Sequence, residues 1–149
     1  MSKTNADTRL LNEIYYGAIN AITVLSSVLD NLGAGDFFDV LFEQMTGYRE
    51  IANSAIMLLC DNGERIMPQS VGDRFGLHTA KRMTKILQNQ HRTCGIIIRG
   101  SVEGIKDIAE CINVCTDARK ETRLLAYRLI EAEEENIRAC RLYISANEW

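Results

Sequence analysis

Apolar residues recur at alternating steps of three and four along the first half of the chain, which is the spacing of one face of an α-helix. The first such stripe comprises Leu11, Tyr15, Ala18, Ile22, Leu25, Leu29 and Leu32. The second comprises Phe38, Leu41, Met45, Tyr48, Ala52, Ala55 and Leu59. The pattern predicts one helix that begins near Asn5 or Asp7 and ends at Gly33-Ala34-Gly35. A second helix begins with Asp36 as its N-cap and ends at Asn62-Gly63, and the short link makes the pair an antiparallel hairpin.

The second half carries the same periodicity after the longest break, residues 62–72, which contains Pro68, the only proline. A third helix is predicted from Ser70 or Asp73. Its stripe comprises Ala80, Met83, Leu87, Cys94 and Ile97.

Three glycines then follow within ten residues and weaken a helix: Gly95, Gly100 and Gly104. We therefore predict a turn near Arg99 to Ser101, with Ser101 as the cap of a fourth helical region that runs to about Ala146. That region is much longer than the others, and Thr116-Asp117 is the expected place for a break because both residues cap helices well. The expected fold is all-α, an up-down-up-down four-helix bundle in one domain, residues 1–149, with five helices as the alternative.

Composition and charge narrow the class of protein. The formal net charge of −3 argues against a dedicated nucleic-acid binder. No apolar run reaches the roughly 18 residues of a membrane span, and the first residues lack the apolar core of a signal peptide. Five cysteines, an odd number on predicted helices, suit reduced thiols better than a disulfide framework. We therefore expect a cytoplasmic protein that does not enter the membrane.

The length, the helix number and the amphipathic pattern of residues 5–146 resemble the ferritin-like superfamily of four-helix bundles, in particular its small uncharacterised bacterial members. The resemblance is architectural. Some members of that superfamily hold metal ions in the bundle interior with Glu and Glu-x-x-His ligands, so the resemblance implies the interior as the place for such a site. This sequence has no Glu-x-x-His, and His78 and His91 are thirteen residues apart, so they cannot share one ion. A standard di-iron centre is therefore not expected.

Other ligand sets remain open, with iron, zinc or copper as the metal. The candidate ligands are Glu13, Glu43, Glu50 and Glu121 for a non-standard carboxylate site, and His91, Cys94, Cys111 and Cys115 for zinc or a softer ion. Cys111 and Cys115 lie four residues apart on one helix face and could chelate Cu(I), a pattern that faintly resembles copper-storing bundles. The alternative for the carboxylates is a solvated acidic face, and for the thiols packing as small apolar groups.

Basic residues dominate the predicted third helix, where no acid occurs between Asp73 and Glu103. The basic residues are Arg74, Lys81, Arg82, Lys85, Arg92 and Arg99. They could bind an anion or nucleic acid. We favour pairing with acidic faces of the same bundle or of a second subunit. These faces comprise Asp36, Asp39, Glu43 and Glu50 on the second helix and Glu133-Glu134-Glu135 near the end of the chain.

Several apolar clusters place hydrophobic side chains on two adjacent helix faces: Leu10-Leu11, Phe37-Phe38 and Ile96-Ile97-Ile98. Exposed patches of that size usually mark interfaces, so the sequence predicts a homodimer. It contains neither a nucleophile elbow nor a phosphate-binding glycine loop, and no catalytic residue is assigned. We therefore expect a structural, self-associating interaction protein, with metal binding and anion or nucleic-acid binding as alternatives.

Overall fold

The computed structural model describes residues 3–68 and 90–146, with side chains from Ala6 and from His91 in the two ranges. Within these ranges the chain forms no strand and four α-helices: α1 (Lys3–Asn31), α2 (Asp36–Asp61), α3 (Gln90–Val114) and α4 (Lys120–Ala146). They pack against one another, which confirms the prediction of an all-α four-helix bundle.

Helices α1 and α4 form the central pair of the bundle, because each of them packs against all three of the other helices. One end of the bundle is closed by Asp7 of α1, whose carboxylate accepts hydrogen bonds from Asn62 Nδ2 (2.7 Å) and from the backbone N–H of Arg119 (2.9 Å). The start of α1, the end of α2 and the start of α4 therefore meet there. It follows that α1 and α4 run in one direction and that α2 and α3 run in the other.

The first hairpin forms as predicted, with small shifts at its boundaries. Helix α1 begins at Lys3, so Asn5 and Asp7 lie inside it rather than at its cap. Asp36 is the first residue of α2, and the N-cap position belongs to Gly35, which makes no side-chain cap bond. The end of α2 matches the prediction: Asn62 is its C-cap, and Gly63 takes a positive φ of 72°, which favours glycine.

The predicted turn near Arg99 to Ser101 is wrong, because α3 continues through these residues to Val114. Ser101 is buried and bonds to side chains of α4 instead of capping a helix. The alternative break at Thr116-Asp117 is confirmed. The predicted third helix begins at Ser70 or Asp73, outside the described residues. In the predicted up-down-up-down order, that helix is the third member.

Much of the apolar surface that predicted a dimer is covered within the single chain. Leu10, Leu11 and Ile97 are buried, and Ile96 and Ile98, which flank Ile97, are half-buried. Phe37 stacks on Tyr143 of α4 with ring centroids 3.8 Å apart. These clusters occupy two adjacent helix faces because their helices pack against neighbours on more than one side. A surface for self-association would therefore be formed by other residues.

Candidate functional site

A polar cluster lies in the interior where α2, α3 and α4 meet, and all four of its side chains are buried: Tyr48, Ser101, Glu133 and Asn136. The Tyr48 hydroxyl donates a hydrogen bond to Glu133 Oε1. The Ser101 hydroxyl donates to the same oxygen at 3.5 Å and accepts from Asn136 Nδ2 at 3.2 Å. The cluster thus joins three helices through one carboxyl group.

Gly104 provides the space that the Glu133 carboxyl group occupies. A Cβ atom at this position of α3 would overlap Glu133 Oε2 and would lie 3.1 Å from Glu133 Cδ. The glycine that weakened the helix prediction is therefore required by packing across the α3–α4 contact.

The surroundings of Glu133 favour its uncharged form. Burial raises the pKa of its carboxyl group to about 8, although the hydrogen bonds from Tyr48 and Ser101 act in the opposite direction. Burial, together with the nearby Glu133, also raises the pKa of Tyr48 well above its usual range. At neutral pH the cluster holds a carboxylic acid and a phenol, both protonated. The Asn136 Oδ1 atom is buried beside them without a hydrogen-bond partner.

This cluster was not predicted from the sequence, in which Glu133 was assigned to a surface acidic face with Glu134 and Glu135. Glu133 is in fact buried, whereas Glu134 is exposed. A signal was available in the spacing of the buried face of α4: Leu125, Leu129, Glu133, Asn136 and Cys140. These steps of four, four, three and four place Glu133 at a core position.

Cys111 and Cys115 converge as their spacing predicted. Both thiols are buried at the end of α3, and their sulfur atoms lie 3.8 Å apart. Burial and the neighbouring Cys115 raise the pKa of Cys111 to about 12, so this thiol is protonated at neutral pH. Glu13 of α1 adds a smaller electrostatic contribution in the same direction.

A second thiol pair joins α3 to α4. Cys94 and Cys140 are fully buried and interact through a side-chain hydrogen bond. That bond lowers the pKa of Cys94 and raises the pKa of Cys140, with burial opposing the first shift and adding to the second. The sequence analysis left Cys140 as an isolated residue, because the pairing depends on the register of two helices.

The predicted carboxylate site does not assemble within the described residues. Glu13, Glu43, Glu50 and Glu121 all lie on exposed positions, and in residues 3–68 and 90–146 no three side chains of the metal-ligating types are placed to hold an ion. His91, predicted as a zinc ligand together with Cys94, is also exposed, whereas Cys94 three residues later is buried.

The basic candidates are only partly covered by the structure. Arg92 and Arg99 are exposed on α3. The remaining four, Arg74, Lys81, Arg82 and Lys85, lie outside the described residues. In the described part of the chain no helix is long and apolar enough to cross a membrane.

Searches with this chain found no matching family model, no matching curated protein and no matching solved structure. The resemblance to the ferritin-like superfamily therefore stays a prediction.

Proposed function

We propose that this protein is a structural helical bundle that associates with a second copy of itself through the outer faces of α2 and α4. The observation that carries the proposal is the distribution of exposed large apolar side chains. Seven of the ten in the described residues lie on these two neighbouring helices, and none lies on α1. We call the solvent-facing sides of these two helices the α2/α4 surface, and its exposed large apolar side chains are Val40, Phe42, Ile56, Met57, Leu124, Tyr127 and Leu142.

The register of the two helices brings members of this surface to the same height. Tyr48 of α2 meets Glu133 of α4, and the helices run in opposite directions. Met57 lies nine residues after Tyr48, and Leu124 lies nine residues before Glu133. These two side chains are 66% and 54% exposed, so together they present apolar area at one level of the bundle.

Charge on the same helices supports pairing between copies. Helix α2 carries five acidic residues and one basic residue, whereas α4 carries five basic residues and, besides the buried Glu133, four acidic ones. In a two-fold symmetric dimer the same patch of each copy forms the interface, so α2 of one copy can lie against α4 of the other. This places the acidic helix beside the more basic one.

The buried polar cluster suits the structural part of the proposal. A hydrogen-bonded group in a core fixes the register of the helices that share it, because any slip leaves its polar atoms without partners. Tyr48, Ser101 and Glu133 tie three helices in this way. A bundle held in one register presents a constant outer surface to its partner. We also infer a cytoplasmic location, because five cysteines, an odd number, do not form a disulfide framework typical of secreted proteins.

The experiment is to place charges on the α2/α4 surface and to measure the mass in solution by light scattering after size-exclusion chromatography. We expect the double variant Met57→Glu, Leu124→Glu to be monomeric, because two buried carboxylates would be uncompensated in the interface. The matched control is Val102→Glu, Val114→Glu on α3, whose original side chains are 50% and 56% exposed. The control should remain dimeric. Equal masses for both variants would contradict the assignment of the surface.

A second candidate function, binding of a soft metal ion such as Cu(I), is favoured by the 3.8 Å separation of the Cys111 and Cys115 sulfur atoms. Two thiols already in contact can both bind one ion without moving the helix. The raised pKa of Cys111 means that the ion must displace a proton, so affinity should increase with pH.

Competition with a chromogenic Cu(I) chelator under anaerobic conditions tests this candidate. Affinity should be lost in the double variant Cys111→Ala, Cys115→Ala and retained in Cys60→Ala, which removes an exposed thiol. Unchanged affinity in the double variant would exclude the site.

A further inference from the structure

The second thiol pair is set by the antiparallel register of α3 and α4. Ser101 of α3 meets Glu133 of α4 in the polar cluster. Cys94 lies seven residues before Ser101, and Cys140 lies seven residues after Glu133, so both sit two turns further along, at the same level. The two thiols are fully buried there and are hydrogen-bonding partners.

We propose that Cys94 and Cys140 form a reversible disulfide bond across the α3–α4 contact, which makes this pair a redox-modification site of the protein. The pair is suited to a disulfide because its two cysteines lie on different helices, at one level of the contact between them, and their side chains interact.

The other thiol pair, Cys111 and Cys115, is not placed for a disulfide bond, because the two residues are one helical turn apart in the same segment. A disulfide requires Cβ atoms about 3.5–4.5 Å apart. Side chains four residues apart on a helix have Cβ atoms about 5–6 Å apart, and the backbone N–H of Cys115 still bonds to the Cys111 carbonyl at 2.9 Å. Bridging Cys111 and Cys115 would therefore require unwinding the end of α3, whereas the contact of their sulfurs suits a bound ion.

The oxidant we propose is a small-molecule disulfide, for which the reaction balances by two exchanges. The Cys94 thiolate attacks one sulfur of the reagent and forms a mixed disulfide, and the first small thiol leaves. Cys140, after losing its proton to solvent, attacks the Cys94 sulfur and releases the second small thiol. Two protein thiols are oxidised to one disulfide, and one small disulfide is reduced to two thiols.

The hydrogen bond between the pair assigns these roles. The interaction between the two thiols lowers the pKa of Cys94 and raises that of Cys140, so Cys94 is the better attacking group. Cys140 lies six residues before the end of α4, and helix ends open more readily than helix centres. Opening of this end gives a small reagent access to the pair.

The test uses the full chain, reduced and folded, and oxidised glutathione as the probe. Free thiols are then blocked by alkylation, and the protein is analysed by intact mass and by peptide mapping. We expect Cys94 and Cys140 to escape alkylation, with the peptide of Cys94 linked to that of Cys140, and Cys111 and Cys115 to be alkylated. The exposed Cys60 can form only a mixed disulfide with glutathione. Dithiothreitol should reverse the change.

Variants separate this pair from the others. Cys94→Ser and Cys140→Ser should each prevent the intramolecular bond, whereas Cys60→Ser and the double variant Cys111→Ser, Cys115→Ser should form it as the unchanged chain does. Circular dichroism checks folding, and Cys94→Ala replaces Cys94→Ser if the hydroxyl is not tolerated in the core. A link between Cys111 and Cys115, or Cys94 and Cys140 both alkylated after oxidation of the folded chain, would overturn the proposal.

Discussion

Glu133 is a carboxyl group placed in the apolar interior of the bundle, and its environment keeps it protonated at neutral pH. Its partners are a phenol and a hydroxyl, and no oppositely charged side chain bonds to it among the described residues. A carboxyl group in such a place has two uses in proteins: it can fix a unique packing, or it can supply a proton in chemistry. The bonds to Tyr48 and Ser101 from two further helices support the first use.

Replacing Glu133 with Gln should remove part of the pH dependence of stability. In the folded protein the pKa of Glu133 rises from 4.5 to about 8, so the folded state keeps a proton that the unfolded chain releases. The free energy of unfolding should therefore fall as pH rises through this interval, by up to about 1.4 kcal/mol per pH unit. Urea unfolding across the interval measures the slope.

Glu133→Gln should flatten that slope, because the amide does not titrate. Glu134→Gln, which changes an exposed neighbour, is the control and should leave the slope as it is. A slope unchanged by Glu133→Gln would show that this carboxyl group does not hold its proton in the folded state.

Asp7 was predicted to cap α1, but its carboxylate serves the start of α4 and the end of α2. Asp7→Ala removes hydrogen bonds to the backbone N–H of Arg119 and to the Asn62 amide. The free energy of unfolding should fall by about 1–3 kcal/mol, because two hydrogen bonds to a buried carboxylate are lost. Thermal or urea denaturation measures the loss. Asp117→Ala, at an exposed position of the α3–α4 connection, should change stability by less than about 0.5 kcal/mol.

At the level of the helices, two nearby glycines of α3 have different surroundings. Gly104 faces Glu133, and an added Cβ would displace the carboxyl group from Tyr48. Gly100 has nothing within 4 Å of the position of an added Cβ.

The two glycines should therefore respond to alanine with opposite signs. Gly104→Ala should destabilise the protein by about 1–3 kcal/mol through overpacking. Gly100→Ala should stabilise it by about 0.5–1 kcal/mol, because alanine is the better helix former. Chemical denaturation of both variants measures the difference. Stabilisation by Gly104→Ala would mean that the carboxyl group moves aside without cost and that the cluster does not fix the register.

Features that depend on residues close together in the sequence were predicted, whereas contacts between distant residues were not. The first hairpin, the break at Thr116-Asp117 and the contact of Cys111 with Cys115 depend on residues within a few positions of one another, and each was predicted. Tyr48 and Glu133 are 85 residues apart, and their contact depends on a register that periodicity alone does not determine. The false turn near Ser101 has the same origin, since Gly104 is explained only by its partner on α4.

Across the whole molecule, the interior of the bundle holds polar groups and thiols, whereas its outer faces carry exposed apolar side chains. The interior uses polar groups to hold three helices in one register, and two thiol pairs are buried there as well. The outer faces of α2 and α4 carry most of the exposed large apolar side chains of the described residues, together with complementary charge. The proposed association between copies rests on this surface.

Native mass spectrometry of the unmodified chain at micromolar concentration tests the proposed association. We expect a species with twice the mass of the chain, which dissociates when Met57 and Leu124 are both replaced by glutamate. A single species with the mass of one chain would contradict it.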